Sequence, residues 1–313
     1  MKTPLSEFSL IRRFFSQQTV TNPTTRLGIG DDCALMTVPD GYELAITADT
    51  MVENVHFFAN TNPEWLGHKL LAVNLSDLAA MGAKPISVTL ALTLPKADEN
   101  WLKAFAKGFL SLAKRYSVDL IGGDTTSGPL TLTVQAMGLV KRGKALRRST
   151  AQPGDLIFLT GNLGDAGLGL KILQGYSCSK PNDALLRFHQ PLPRVETGLA
   201  IADVANACID ISDGLTSDLG HILEQSQVGA CIDWAALPFS EAVLNYTKDT
   251  NDWVMPLISG DDYELCFTVN SRYVDLLPDG CQKIGVIEAE SGLRLNKSGQ
   301  TQLLNIKGYE HFS

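Results

Sequence analysis

The chain has 313 residues, 44% hydrophobic and 19% charged, enough apolar material for two cored domains of roughly 150 residues each. Its 34 acidic against 26 basic side chains leave a formal charge of −8, which argues against nucleic acid as a partner, because phosphate backbones recruit basic faces. No apolar run reaches signal-peptide or membrane-spanning length, so a cytoplasmic protein with no membrane partner is expected.

In chain order, strand-like apolar runs are predicted at 43–48, 87–94, 130–140, 156–159, 230–233 and 264–269. Between them, helical periodicity predicts helices at 63–78, 100–116, 165–173, 193–205 and 216–226. The expected class is α+β (α/β mixed), with mixed sheets flanked by helices. A basic stretch at 141–148, KRGKALRR, runs into AQPGD at 151–155 and reads as a linker, so domains are expected at 1–149 and 150–313. The six cysteines, Cys33, Cys178, Cys208, Cys231, Cys266 and Cys281, form no CxxC pair; neither a zinc knuckle nor a disulfide framework is indicated.

The main signal is a recurrence of Gly and Asp inside apolar segments: GIGDDCA at 28–34, ITADT at 46–50, NLSDLAAMGA at 74–83, LIGGDTT at 120–126, IDISDGLTSD at 209–218 and ISGDDYEL at 258–265. A carboxylate taken out of water needs a cation or several donors. Hard oxygens without Cys or His pairs suit Mg²⁺ or Mn²⁺, which share substrate phosphates. The ligand candidates are Asp31, Asp32, Thr47, Asp49, Asp77, Asp124, Asp210 and Asp213. Each alone also reads as an Asx-turn or a helix N-cap, the commoner use of Asp after Gly. Six recurrences in one chain favour the metal reading.

No G-x-x-x-x-G-K-[ST] occurs, which excludes a P-loop. The glycine run Gly161-Asn-Leu-Gly164-Asp-Ala-Gly167-Leu-Gly169 reads first as a tight turn with close helix packing, and second as a phosphate loop. Lys144, Arg147 and Arg148 could supply positive charge, Arg being the better phosphate clamp; a solvated charge run is the competing reading. His56, beside Phe57 and Phe58, is either a packed loop residue or a substrate contact.

Taken together, EFSLI, GIGDDCA, TADT followed by VHF, KLLAVNLSDLAAMGAKP, LIGGDTT, PGDLIFLTG, IDISDGLTSDLGHI, SGDDYELCF and the terminal KGYEHF form an ordered set across the whole chain. That set resembles the thiamine-monophosphate kinase family, in the superfamily that also holds aminoimidazole ribonucleotide synthetase, selenophosphate synthetase and a hydrogenase-maturation dehydratase. The resemblance implies a two-domain aminoimidazole ribonucleotide synthetase-like fold: an N-terminal metal- and ATP-binding half that pairs into a homodimer through its sheet, and a C-terminal half that covers the site. It implies ATP-dependent phosphorylation of thiamine monophosphate to thiamine diphosphate, with several Mg²⁺ ions and ATP as co-substrate. By motif, Asp32, Thr47, Ala48, Asp49, Asp77, Asp124, Asp210 and Asp213 match magnesium positions. Gly123, Asp124, Arg148 and Ser212 match ATP contacts, and His56, Asp261 and Tyr309 match positions holding the thiamine phosphate. Two departures stand out. The family often has GGED where this chain has Ser259-Gly260-Asp261-Asp262, one methylene shorter at Asp261; Ala48 replaces Ser or Thr in the T-x-D segment, where a backbone carbonyl suffices.

The implied chemistry suits these residues. A phosphate monoester with a second pKa near ~6 is already mostly deprotonated at neutral pH, so direct in-line transfer requires no general base. The obstacle is electrostatic: two unit charges ~5 Å apart cost about 3 kcal/mol at an effective dielectric of ~20. Carboxylate-held divalent ions cancel that repulsion. A selenide-using relative would instead want a reactive Cys near the start, and the first 32 residues contain none. A non-catalytic nucleotide or metal binder with this fold would bind ATP without turnover.

Overall fold

A computed structural model describes residues 7–16 and 20–304, and divides the chain into two compact units. One comprises the chain to Leu78 with Ala83–Gly143; the other comprises Ala79–Gly82 with the chain from Lys144 onward.

The first unit begins with α1 (Glu7–Leu10), continued by a wider helical segment Ile11–Phe15, and a two-stranded antiparallel pair, β1 (Thr25–Leu27) and β2 (Leu35–Met36). There follow β3 (Tyr42–Val52), α2 (Pro63–Ala80), β4 (Lys84–Leu94), α3 (Glu99–Arg115), β5 (Asp119–Ser127) and β6 (Thr131–Lys141). The four long strands form one sheet in the order β3-β6-β4-β5; β4 and β5 are parallel with α3 as their crossover, and the other pairs are antiparallel. Helix α3 shows why the sequence folds this way. Asp98 caps it, accepting from Asn100 N (3.0 Å) and Trp101 N (3.2 Å). Leu102, Phe105, Phe109 and Leu112, spaced three and four apart, are all buried, and each contributes roughly 1.5–3 kcal/mol by leaving water. Gly108 brings α3 against α2: a Cβ there would lie 1.9 Å from Glu64 O.

The second unit contains β7 (Leu156–Leu159), α4 (Asp165–Leu173), α5 (Pro181–His189), α6 (Val195–Ile201), β8 (Ala205–Asp210), α7 (Leu215–Ser226), β9 (Gly229–Asp233), α8 (Glu241–Thr250) and α9 (Met255–Ile258). The last four strands are β10 (Leu265–Val269), β11 (Gln282–Glu288), β12 (Gly292–Lys297) and β13 (Gln300–Leu303). Its seven-stranded sheet runs β13-β12-β9-β11-β7-β10-β8, with only β12 and β9 parallel. Ile157, Ile209, Leu219, Ile222, Ile232 and Ile284 belong to the core between this sheet and α7.

The class is therefore α/β with mixed sheets. The predicted helix at 193–205 is shorter, because α6 stops at Ile201 and β8 starts at Ala205. The basic stretch is divided: Lys141 ends β6 and residues to Gly143 stay in the first unit, while from Lys144 it is built into the second, where Arg147 bridges to Ala207 and Thr150 Oγ1 donates to Asn206 O at 2.5 Å. Buried Asp155 accepts from both Gln152 N and Asn206 Nδ2 at 2.9 Å, so the PGD turn is equally fixed. All six cysteines are free thiols. Among the described residues, no helix is long and apolar enough to cross a membrane.

Candidate functional site

In the first unit one buried carboxylate delivers the GIGDD loop to the sheet. Asp119, 3% exposed at the start of β5, accepts from Thr21 N (2.9 Å), Thr21 Oγ1 (3.0 Å) and Asn22 N (2.9 Å), fastening the chain that leads into β1. Beyond that anchor, Asp31, Asp32, Gly123 and Asp124 line a single cavity of about 670 Å³, with Arg12 on its wall. That volume lies in the small-molecule range of roughly 300–1,000 Å³. Gly123 has φ +152°, and a Cβ there would lie 1.9 Å from Leu90 O, so only glycine lets β5 pass β4 this closely. The sequence had brought out the Asp and Gly residues of this cavity but not Arg12.

A second group forms between β3 and α2. Thr47 Oγ1 donates to Asp77 Oδ2, and Asp49 N donates to Asn74 Oδ1 at 3.2 Å. Asn74 is fully buried and also donates to Leu70 O at 2.9 Å, so it ties strand to helix, a role its sequence context did not announce. Burial first, and Asp77 second, push the Asp49 carboxyl up to about 7. The two groups are separate within this unit. Asp49 shares a cross-strand row with Val134, Leu90 and Gly123, whereas Asp124 shares the next row with Ala91, Thr133 and Thr50. Adjacent rows point to opposite faces, and β3 and β5 lie three strand spacings apart, about 14 Å at ~4.8 Å each. Ala48 is exposed between the two partners of this group. His56 follows β3, its Nδ1 accepting from Val52 N at 3.0 Å; a substrate contact would therefore fall to Nε2. Phe57 is buried and Phe58 is 41% exposed, so only the second could line a ligand without rearrangement.

In the second unit, β8 ends at buried Asp210 and a tight turn carries Ser212 and Asp213 into α7. Ser212 N and Asp213 N both donate to Asp218 Oδ2 at 3.0 Å. Asp218 was not among the sequence candidates, although it stands in the same motif one helical turn on. Burial, then the Asp210 charge, push its carboxyl up to about 8 against the lowering effect of the Asp213 and Ser212 amides. The SGDDYEL loop is laced to this turn: Asp261 N donates to Ser212 O (3.0 Å), Tyr263 N to Ile211 O (2.8 Å) and Ile211 N to Glu264 O (2.8 Å).

Alternate acids of that loop point inward. Asp262, 1% exposed, accepts from Gly164 N (2.7 Å) and Ala166 N (3.2 Å), while burial pushes its carboxyl up to about 8. The start of α4 is thus filled by a protein carboxylate, and the glycine run is a packed turn rather than a phosphate loop. Glu264, with no exposed surface, accepts from Arg187 Nη2 (2.5 Å), Arg194 Nε (2.6 Å) and Thr160 Oγ1 (2.5 Å). Arg148 is exposed, its carbonyl accepting from Ser226 Oγ at 2.8 Å; Lys144 is exposed and paired with Asp203 at 3.3 Å. Tyr309 lies outside the described residues.

Among the described residues, no three His, Cys, Asp or Glu side chains converge closely enough to hold a metal ion on their own. Within each unit the candidate acids form smaller groups. Two carboxylates and a hydroxyl, as at Asp49, Asp77 and Thr47, nevertheless fit Mg²⁺, which takes one or two protein carboxylates and completes its octahedron with water and phosphate oxygens.

Residues 30–140 match the AIR synthase related protein, N-terminal domain, and residues 152–295 match the AIR synthase related protein, C-terminal domain. The chain is 50% identical over 285 residues to the thiamine-monophosphate kinase of Haemophilus influenzae, covering 90% of this chain and 87% of that protein. The crystal structure of thiamine-monophosphate kinase from Stenotrophomonas maltophilia superposes with a TM-score of 0.85 at 43% identity, covering 94% of this chain and 98% of that one. A structure of AaThiL complexed with AMPPCP and TMP superposes with a TM-score of 0.80 at 29% identity, covering 88% and 89%. On cavity, paired carboxylates and near full-length identity together, the chain belongs to the thiamine-monophosphate kinase family within the AIR synthase related proteins.

Proposed function

We propose that this protein transfers the γ-phosphoryl group of ATP directly to the phosphate of thiamine monophosphate, yielding thiamine diphosphate and ADP. The observation that carries the reading is the Asp49–Asp77 pair, where burial and then the neighbouring Asp77 charge raise the cost of ionising Asp49, beside a threonine hydroxyl bonded to Asp77. A protein retains such a pair where a cation relieves it. Several Mg²⁺ ions, for which Thr47, the Ala48 carbonyl, Asp49 and Asp77, then Asp32 and Asp124, and in the second unit Asp210 and Asp213 are the ligands, would neutralise the phosphate oxygens of the two substrates.

The protein's own groups do the rest. Gly123 and Asp124, with Asp32 on the same cavity, receive the nucleotide, and Arg148 and Ser212 offer donors to its phosphates. His56, Asp261 and Tyr309 hold thiamine monophosphate, Asp261 offering a negative charge to the thiazolium. No side chain removes a proton in the transfer, because the acceptor oxygen is already ionised. The 11-residue strand β3 is an open sheet edge with Ile46 57% exposed, which supports association with a second copy of this chain.

Purified protein with ATP, Mg²⁺ and either thiamine monophosphate or free thiamine tests the reading. Chromatography should find thiamine diphosphate from the monophosphate alone, in step with ADP. Binding of ATP with no product from either acceptor would contradict it.

A further inference from the structure

The SGDDYEL loop holds two non-glycine residues at positive φ. Asp261 and Tyr263 both adopt left-handed backbone conformations, with φ +68° and +49°. Asp tolerates that region; a bulky aromatic residue rarely enters it, and such strain persists only where the surroundings over-determine it. Here they do. Asp262 is locked into the start of α4 and Glu264 into Arg187 and Arg194, while the backbone N–H groups of 261 and 263 are held by Ser212 and Ile211. The two inward acids are fully buried, and the two residues with positive φ are left half-buried. Tyr263 Oη donates to Asp261 Oδ1 at 3.0 Å.

We infer that Tyr263 is a positioning residue for thiamine monophosphate: its phenol fixes the Asp261 carboxylate in the orientation that meets the substrate's cationic ring. The inference rests on the reading in which Asp261 contacts that substrate. A short carboxylate on a turn otherwise samples several rotamers, and freezing one of them before binding spares the substrate that entropy. A phenol donating to one carboxylate oxygen orients the whole carboxylate, and the donation does not remove the negative charge. The buried Asp262 and Glu264 act one level further out, holding the backbone from which this pair projects.

The test is the initial-rate kinetics of thiamine diphosphate formation by the full chain, for the wild type, Tyr263→Phe, Asp261→Ala and the double variant. Phe keeps the ring and removes only the half-buried oxygen. Tyr263→Phe should raise KM for thiamine monophosphate about tenfold, the scale of one hydrogen bond to a charged group. The kcat, the KM for ATP and the thermal midpoint should stay unchanged. In the Asp261→Ala background the same substitution should add nothing, since the carboxylate it orients is gone. An active wild type with an unchanged KM in Tyr263→Phe overturns this inference alone. So does a Tyr263→Phe effect that persists in full without Asp261, or one in which kcat, both KM values and the midpoint move together. A wild type that forms no thiamine diphosphate overturns the functional reading, and this one with it.

Discussion

Where β3 meets α2 a carboxylate faces a carboxylate, and burial together with Asp77 pushes Asp49 up to about 7. In the second unit Glu264 is buried more deeply, yet it faces two guanidiniums at 2.5–2.6 Å and a threonine hydroxyl. Both acids come from short Asp-bearing segments set among apolar residues. The difference separates two uses of an acid: one neutralised by the protein's own cations builds the fold, whereas on the function proposed above a pair whose charges add serves a cation from solution.

The largest expected effect removes the compensated acid. Glu264→Ala leaves Arg187 and Arg194 half-buried without their shared partner and should lower stability by about 3–5 kcal/mol in denaturant unfolding. A loss below ~1 kcal/mol, the scale of an exposed ion pair, would break the comparison. Asp49→Asn should act in the opposite sense. Removing one of two like charges should raise stability by on the order of 1 kcal/mol in the presence of a chelator, and thiamine diphosphate formation should fall at least tenfold. If the variant is both less stable and fully active, Asp49 is a structural acid like Glu264. Asp98 supplies the smallest effect and a control that belongs to neither class. The amide of Trp101 foremost, then Lys96, hold its carboxyl below the usual carboxylate range. Its folded pKa is depressed, so its contribution is complete above the unfolded pKa and is lost as pH falls through the folded one. Asp98→Ala should cost about 1 kcal/mol near neutral pH, and that difference should narrow in acid unfolding curves.

Much of the fold was legible wherever a segment was uniformly apolar. The run at 87–94 lies within β4, that at 130–140 overlaps all but the last residue of β6, and the periodicity at 100–116 gives α3. Strand β5 was not predicted as a strand, because Gly122, Gly123 and Asp124 disfavour strands intrinsically; the close pass by Leu90 that demands glycine is a tertiary fact. Helix α5 was missed despite Pro181 at its first turn, since its short, largely polar sequence carries little periodicity. Within the site, the Gly/Asp motifs named the acids but not their company. Arg187 and Arg194 stand 77 and 70 residues before Glu264, and no local pattern joins them. Asn74 and Tyr263 sat inside motifs already singled out, yet their roles depend on a buried hydrogen bond and on backbone angles.

The most direct test of the account is the rate of thiamine diphosphate formation against free Mg²⁺ at saturating ATP, compared between wild type and Asp77→Asn. The account predicts a curve for Asp77→Asn displaced at least tenfold toward higher Mg²⁺, with an unfolding midpoint no lower than that of the wild type. Superimposable curves would contradict it, because the Asp49–Asp77 pair would then hold no ion that the reaction uses.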